Sequence, residues 1–267
     1  MINFMHVYIY DSFLNKKRYE KVLTRVETRI TDLGLNGKIS RMGLMKNITS
    51  TIANELKRGA KTIVAVGNDA TVNQVINAML SQKLGNMAIG AVPLGIIPID
   101  KNKNSIARSL GISWEENACD VLSARRIKKL DIGTINNYCF LANARISNQA
   151  TVLEISRKYT IEIIEPGEIN IINLRTDERN LPEGFNVNPQ DGLFELLINS
   201  HKAKRFLIAL NGASANQSIF PLKKLTIINK KNQPVVIDNF AEVPTPATVN
   251  IIKQRIKIIV GKERSFI

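Results

Sequence analysis

The stretch Val66-Gly67-Asn68-Asp69-Ala70-Thr71-Val72-Asn73 joins a continuous apolar run at residues 62–66 to a helical pattern over residues 71–80. A tight loop between a strand end and a helix start aims backbone N–H groups and the positive end of the helix dipole at an anion. Asp69 would then stand at the carboxyl edge of a sheet, where open α/β folds bind ligands. The same spacing equally suits a structural role, with Asp69 capping the helix that Thr71 and Asn73 begin. Lys101 and Lys103 follow the next apolar run, either as mobile point charges for a phosphate or as solvated loop residues. Metal chemistry on sulfur or imidazole is excluded: Cys119 and Cys139 have no ligand spacing, and the two histidines cannot complete a zinc site. Both cysteines are expected to be reduced thiols of an intracellular protein.

The elements that must position this loop follow from periodicity. Residues 4–10 read as a buried strand. A long amphipathic helix starts near Lys16, its apolar positions Tyr19, Val22, Leu23, Val26, Ile30 and Leu33 keeping a 3.6-residue period, with Gly34 at the left-handed cap. A short strand at 38–41 and a helix marked by Ile48, Ile52 and Leu56 and stopped by Gly59 come next. The run at 62–66 has no alternation, as in a parallel sheet covered on both faces. Another strand is expected over residues 88–92. Ser113-Trp114-Glu115-Glu116 has capping-box spacing and predicts a helix to residue 123.

From residue 129 the texture changes to short strands with turn signals. Strands are expected at 161–164 and 169–174, flanking a type II turn at Glu165-Pro166-Gly167-Glu168. Others are expected at 193–198, 222–228, 235–237 and 256–260, with a helix over 202–210 and a polar hairpin-type loop at Lys230-Lys231-Asn232-Gln233. The pattern predicts an α/β domain with a parallel sheet followed by a mostly antiparallel β domain, the boundary lying near residues 125–135.

With 267 residues, 44% hydrophobic and 22% charged, the chain has a core and is neither disordered, collagen-like nor a disulfide-stapled miniprotein. The net charge of +14 divides as +9 over residues 1–131 and +5 over the rest, so it is not the mark of a basic tail. It suits anionic partners such as phosphates or acidic lipid. No aromatic–basic interleaving or recognised motif points to nucleic acid. The longest apolar stretch, 87–99, is short for a membrane span and holds Pro93 and Pro98. The first residues lack a signal-peptide pattern. A cytoplasmic protein is expected, peripheral at the inner membrane face if the charge meets acidic lipid.

The loop at 66–73 resembles the Gly-Gly-Asp-Gly-Thr-x-Asn-Glu-Val signature of the diacylglycerol kinase catalytic domain family, whose glycine–aspartate core NAD kinases share. Further matches fall in order. Leu94-Gly95-Ile96-Ile97-Pro98-Ile99 with Asn104-Ser105-Ile106-Ala107-Arg108 is similar to the family's Ile-Pro-x-Gly-Thr-x-Asn-Asp-Phe-Ala-Arg. Leu130-Asp131-Ile132-Gly133 resembles Asp-Leu-Gly, and Asp191-Gly192-Leu193-Phe194-Glu195 resembles Asp-Gly-x-Leu-Asp. Val236-Ile237-Asp238 fits the strand carrying Asp-Gly-Glu. The resemblance implies a Rossmann-like three-layer domain over 1–130 and a β-sandwich over 131–267. It also implies ATP-dependent phosphoryl transfer to a lipid hydroxyl, largely by positioning and charge neutralisation with Mg²⁺. On that basis Gly67, Asn68, Asp69, Ala70, Thr71, Asn73, Lys101 and Asn104 would hold the nucleotide. Asp69, Asp131 and Asp191 would serve metals, and Asp238 would be the general base, with Asp69 and Asp131 also catalytic.

The departures gather at the phosphates. Asn68 and Ala70 stand where the family has glycine, and an alanine forced to positive φ would cost about 1–2 kcal/mol. Asp100-Lys101-Asn102-Lys103 replaces Gly-Thr-Gly, Ser105 replaces a metal-network aspartate, and Tyr10-Asp11-Ser12-Phe13 replaces Asn-Pro-x-Ser-Gly. Glu242 lies further from Asp238 than the family's glutamate does. The readings that follow are a divergent lipid kinase, a weak or inactive relative binding nucleotide or phospholipid, and, behind both, NAD kinase-like chemistry.

Overall fold

The computed structural model describes residues 6–43, 47–81, 92–99, 101–155, 159–162, 166–176, 181, 186–200 and 216–266. The first half alternates as the periodicity requires: β1 His6–Tyr10, α1 Glu20–Asp32, β2 Gly37–Arg41, α2 Ile48–Lys57, β3 Thr62–Gly67, α3 Asp69–Leu80 and β4 Leu94–Pro98. The four strands pair in parallel in the order β2-β1-β3-β4. Every residue of β1, β3 and β4 is buried, hence the unbroken apolar runs. Helix α1 buries Leu23, Val26 and Ile30, the stripe set by its period, and Gly34 follows at φ +65°.

Of the strand expected at 88–92, residues 88–91 lie outside the described residues, and a strand that the pattern did not mark runs over Leu94–Pro98. A Cβ at Gly95 in it would stand 2.7 Å from Leu122 Cδ1. The capping box is corrected. Residues Glu115–Asn117 form a 3-10 turn whose N-cap, Trp114, makes no side-chain cap bond, and a helix begins only at Ala118. Glu116 instead accepts from Arg25 Nε at 3.0 Å, Glu115 pairs with the same arginine, and Arg29 reaches Asp120 at 2.6 Å. These exposed pairs orient α1 against the turn more than they stabilise it.

Past β4 come α4 Ser105–Ser109 and α5 Ala118–Ala124, then strands β5 Ile127–Ile135, β6 Tyr138–Phe140, β7 Asn143–Ser147, β8 Thr151–Ile155, β9 Tyr159–Glu162 and β10 Gly167–Ile172. The chain ends with β11 Phe194–Ser200, β12 Asn216–Leu222, β13 Lys224–Asn229, β14 Val235–Ile237, β15 Ala241–Val243 and β16 Ala247–Ile259. The first sheet continues through β16 into β13, β8 and β9, with β5 pairing β16 and β6 pairing β5. A second sheet runs β12-β11-β10-β7-β14-β15, antiparallel throughout. The fold is therefore an α/β layer with a parallel sheet followed by an antiparallel β-sandwich.

The sandwich core sets Leu153, Leu225, Ile227 and Val249 of the first sheet against Ile169, Ile171, Phe194 and Ile237 of the second. Phe140 and Phe194 stack at 5.6 Å between centroids, and Gly133 makes room for Phe140, whose ring a Cβ there would meet at 2.2 Å. The first core takes in Ile256, Ile258, Val260 and Phe266, so the chain's last segment returns to the α/β layer. The loop at 230–233 is not a hairpin: it joins β13 to β14, which belong to different sheets, and Asn229 holds it by accepting from Lys231 N and Gln233 N. Likewise β9 and β10, read as flanking one turn, enter different sheets. Residues 163–165 of that turn and the helix expected at 202–210 lie outside the described residues.

Candidate functional site

The loop after β3 is built by its side chains. Asn68 caps α3: its Oδ1 accepts from Thr71 N at 3.2 Å while Asn68 N donates to Thr71 Oγ1 at 3.0 Å. Asn68 is extended (φ −127°), and Ala70 already belongs to the helix, so neither needs the left-handed backbone that two lost glycines would suggest. Gly67 is required for space, because a Cβ would lie 2.1 Å from Thr71 Oγ1. Thr71 is fully buried and donates to Asp11 Oδ2 at 2.6 Å; Asp11 also accepts from Phe13 N at 3.2 Å. Asn73, two residues further on, is fully buried with neither side-chain atom paired. Thr71 thus shapes the loop from beneath.

Asp69 opens α3 and caps the next helix, not its own. Its Oδ2 accepts from both Ser105 N and Ser105 Oγ at 2.8 Å, and its Oδ1 from Ile106 N at 3.1 Å. Asn104 precedes that helix, buried, and Lys101–Lys103 form an exposed 3-10 turn ahead of it. Asp238 follows β14 in the left-handed region at φ +48°. Its carboxylate accepts three backbone N–H groups: Leu141 at 2.8 Å, Ala142 at 3.0 Å and Asn143 at 2.6 Å. Burial pushes this carboxyl up to about 7 against those three donors, with the Asp69 charge adding to the rise.

These pieces meet in one cavity of about 320 Å³, lined by Asn68, Asp69, Ala70, Asn102, Lys103, Asp238 and Asn239. It joins the start of α3, the turn before α4 and the end of β14, and its lining holds two carboxylates and one cationic side chain. Of the residues read from sequence, it collects Asn68, Asp69, Ala70, Lys103 and Asp238. Asn102 and Asn239 were not anticipated, since nothing but their place beside motif residues marks them.

Asp131 and Asp191 form a second pair. Asp131 is fully buried; its carboxylate accepts Gly192 N and Gln254 N, both at 2.6 Å. Burial raises its carboxyl, opposed by those two bonds; the Asp191 charge raises it further and Lys253 lowers it. Asp191 accepts from Leu193 N at 2.8 Å on the surface. The two pairs are linked through Asn173, whose Nδ2 donates to the carbonyls of Asp131 at 3.0 Å and Leu141 at 2.7 Å. Among the described residues no three His, Cys, Asp or Glu side chains gather as metal ligands.

Cys119 and Cys139 are free thiols that burial pushes up to about 12 and about 11, so neither is a thiolate nucleophile at neutral pH. Among the described residues no helix is long and apolar enough to cross a membrane.

A nucleotide's phosphates fit this arrangement: the N-terminal turn of the 12-residue helix α3 opens on the cavity, Gly67 lets the loop lie close against it, and Lys103 supplies charge. A protein-held Mg²⁺ fits less well, because three hydrogen bonds leave each carboxylate of the cavity about one of its four acceptor positions.

Residues 6–135 match the diacylglycerol kinase catalytic domain. The diacylglycerol kinase of Staphylococcus saprophyticus subsp. saprophyticus is 24% identical over 134 residues, 50% of this chain and 42% of that protein. That of Bacillus subtilis (strain 168) is 27% identical over 135 residues, 50% of this chain and 42% of its own length. The chain thus spans less than half the length of these curated relatives. A crystal structure of a diacylglycerol kinase from Bacillus anthracis str. Sterne shares the fold, with a TM-score of 0.73 at 14% identity over 98% of this chain and 99% of that one.

Proposed function

We propose, from the match of residues 6–135 to the diacylglycerol kinase catalytic domain family, that the chain transfers a phosphoryl group from ATP to a lipid hydroxyl in the cavity between α3, the 101–103 turn and Asp238. The observation that carries this reading is the buried Asp238 carboxyl, raised to about 7 and lining the same cavity as the first turn of α3. A base that takes a proton from an attacking hydroxyl works best with a pKa near the operating pH.

In this reading Asn68 and Ala70 present the helix start to the phosphates, and Lys103 offsets their charge. Asp238 accepts the hydroxyl proton as the acceptor oxygen attacks the terminal phosphorus and the bond from that phosphorus to the β-phosphate oxygen breaks, releasing ADP. The three N–H groups of residues 141–143 hold its carboxylate in one orientation. ATP would supply the phosphoryl group, and transfer is mostly positioning and electrostatics.

A second reading keeps the cavity as a binding site without turnover. It is favoured by Asp69, whose carboxylate is engaged by Ser105 and Ile106. Purified protein with ATP and dispersed diacylglycerol separates the two: lipid-dependent ADP release that Asp238→Asn abolishes supports the first, and ATP binding without ADP release selects the second.

A further inference from the structure

Resting on the nucleotide reading above, we infer that the cavity holds its polyphosphate without any divalent cation ligated by the protein, the place of a bridging metal being taken by hydrogen-bond donors of the chain. Mg²⁺ demands near-octahedral oxygen ligation and is usually held through one or two carboxylates. The carboxylates that line this cavity are Asp69 and Asp238.

Asp69 is engaged from one side by a single residue. Ser105 donates both its N–H and its hydroxyl to Oδ2 at 2.8 Å, and Ile106 N takes Oδ1 at 3.1 Å. Two like carboxylates at that separation would repel unless a cation or proton lay between them. A hydroxyl in place of the second acid reverses the interaction: it donates, and the Asp69 charge is stabilised without a cation. Asp238 is treated the same way by Leu141, Ala142 and Asn143. Among the described residues no third acid, histidine or cysteine completes a ligand set.

The counter-charge for phosphate then comes from Lys103 and the N-terminus of α3. Any divalent cation that arrives with the nucleotide is coordinated by phosphate oxygens and water. Ser105 is accordingly a determinant of how the site treats metal, and it acts by occupying Asp69.

The test is calorimetric and needs no turnover. Mn²⁺ alone is titrated into the wild-type protein, and ATP is titrated with EDTA and with saturating Mg²⁺. The expected results are no Mn²⁺ binding and an ATP Kd that Mg²⁺ changes by less than about threefold. Ser105→Asp is expected to bind Mn²⁺ and to gain about tenfold or more in ATP affinity from Mg²⁺, with a melting curve to verify that it folds. Stoichiometric Mn²⁺ binding by the wild type that Asp69→Asn removes would overturn the inference, as would a tenfold Mg²⁺ requirement for ATP. Failure of ATP to bind under either condition would sink the nucleotide reading instead, while the Mn²⁺ titration still decides the metal question.

Discussion

The Thr71 hydroxyl donates to Asp11 Oδ2 at 2.6 Å, tying the loop after β1 to the first turn of α3. Both residues are buried, and Thr71 is also one half of the α3 capping box. Hydrogen bonds to a buried charge are among the stronger ones, and an unpaired partner costs about 1–3 kcal/mol. Thr71→Val is therefore expected to lower the melting temperature by several degrees, at about 2–4 °C per kcal/mol for a chain of this size. Thr71→Ser should stay near wild type. Equal melting of the two variants would show that the hydroxyl contributes nothing.

Asp11 also puts a negative charge beside the phosphate loop, in a stretch that replaces the family's Asn-Pro-x-Ser-Gly. Asn at this position still accepts the Thr71 hydroxyl but carries no charge. Asp11→Asn should bind ATP more tightly, by about tenfold if a unit charge acts over ~10 Å at an effective dielectric near 20. The gain should shrink from ATP to ADP to AMP and vanish for adenosine. Titration of the four ligands checks it, and a gain independent of phosphate number would refute the electrostatic cause.

Asp238 makes two pH predictions of opposite sign. As a base it must be ionised, so kcat should rise with pH and level off above about 7. Its folded pKa lies above the ordinary 3.8, so the folded state holds a proton that the unfolded state releases. This contribution to stability is complete below about 4 and is lost as pH rises through about 7, at most ~4 kcal/mol in all. The melting temperature of Asp238→Asn minus that of wild type should increase across this window. A flat difference would mean that Asp238 ionises normally.

Strands β1, β2, β3, β10, β11, β13 and β14, the first three helices and the two-layer plan were legible in the sequence because burial on both faces writes itself as apolar runs and burial on one face as a 3.6-residue period. The loop at 67–71 was legible because glycine, asparagine and threonine there meet specific steric and capping needs. Other features were not. The Ser113–Glu116 spacing suggested a cap, yet Glu115 and Glu116 find Arg25, ~90 residues away, and a local pattern carries no record of that rival. Asp238 takes its donors from the backbone of residues 141–143, and a backbone N–H has no letter in the sequence. That Ser105 would turn to Asp69 could be read only once α4 was placed.

Lys103 lines the cavity, whereas Lys101, one 3-10 turn before, does not. Lys103→Ala is expected to weaken ATP about tenfold with little change in melting temperature, and Lys101→Ala to change both little, since an exposed lysine far from its counter-ion is screened. The salt dependence of ATP binding should fall in the first variant and persist in the second. Equal losses would move the phosphates away from Lys103.

Gly67→Ala isolates the loop geometry from its charges. The added methyl would stand 2.1 Å from Thr71 Oγ1, closer than real Cβ contacts come, and 3.1 Å from Asp11 Cβ, a tight contact. Thr71 must then rotate or α3 must shift, and either move breaks the bond to Asp11 and the reciprocal bond to Asn68 together. Overpacking of this kind costs about 1–3 kcal/mol, which leaves the fold intact in a chain with two large cores. Stability should therefore fall about as far as in Thr71→Val. ATP affinity should fall further, because the helix start itself moves. Combining Gly67→Ala with Thr71→Ala removes the hydroxyl that the methyl strikes, so the double variant should recover part of the ATP affinity though not the stability. Melting curves and ATP titrations of the two single variants and the double variant measure this coupling. Purely additive losses would show that Gly67 and Thr71 act independently and that the loop is not held by their contact.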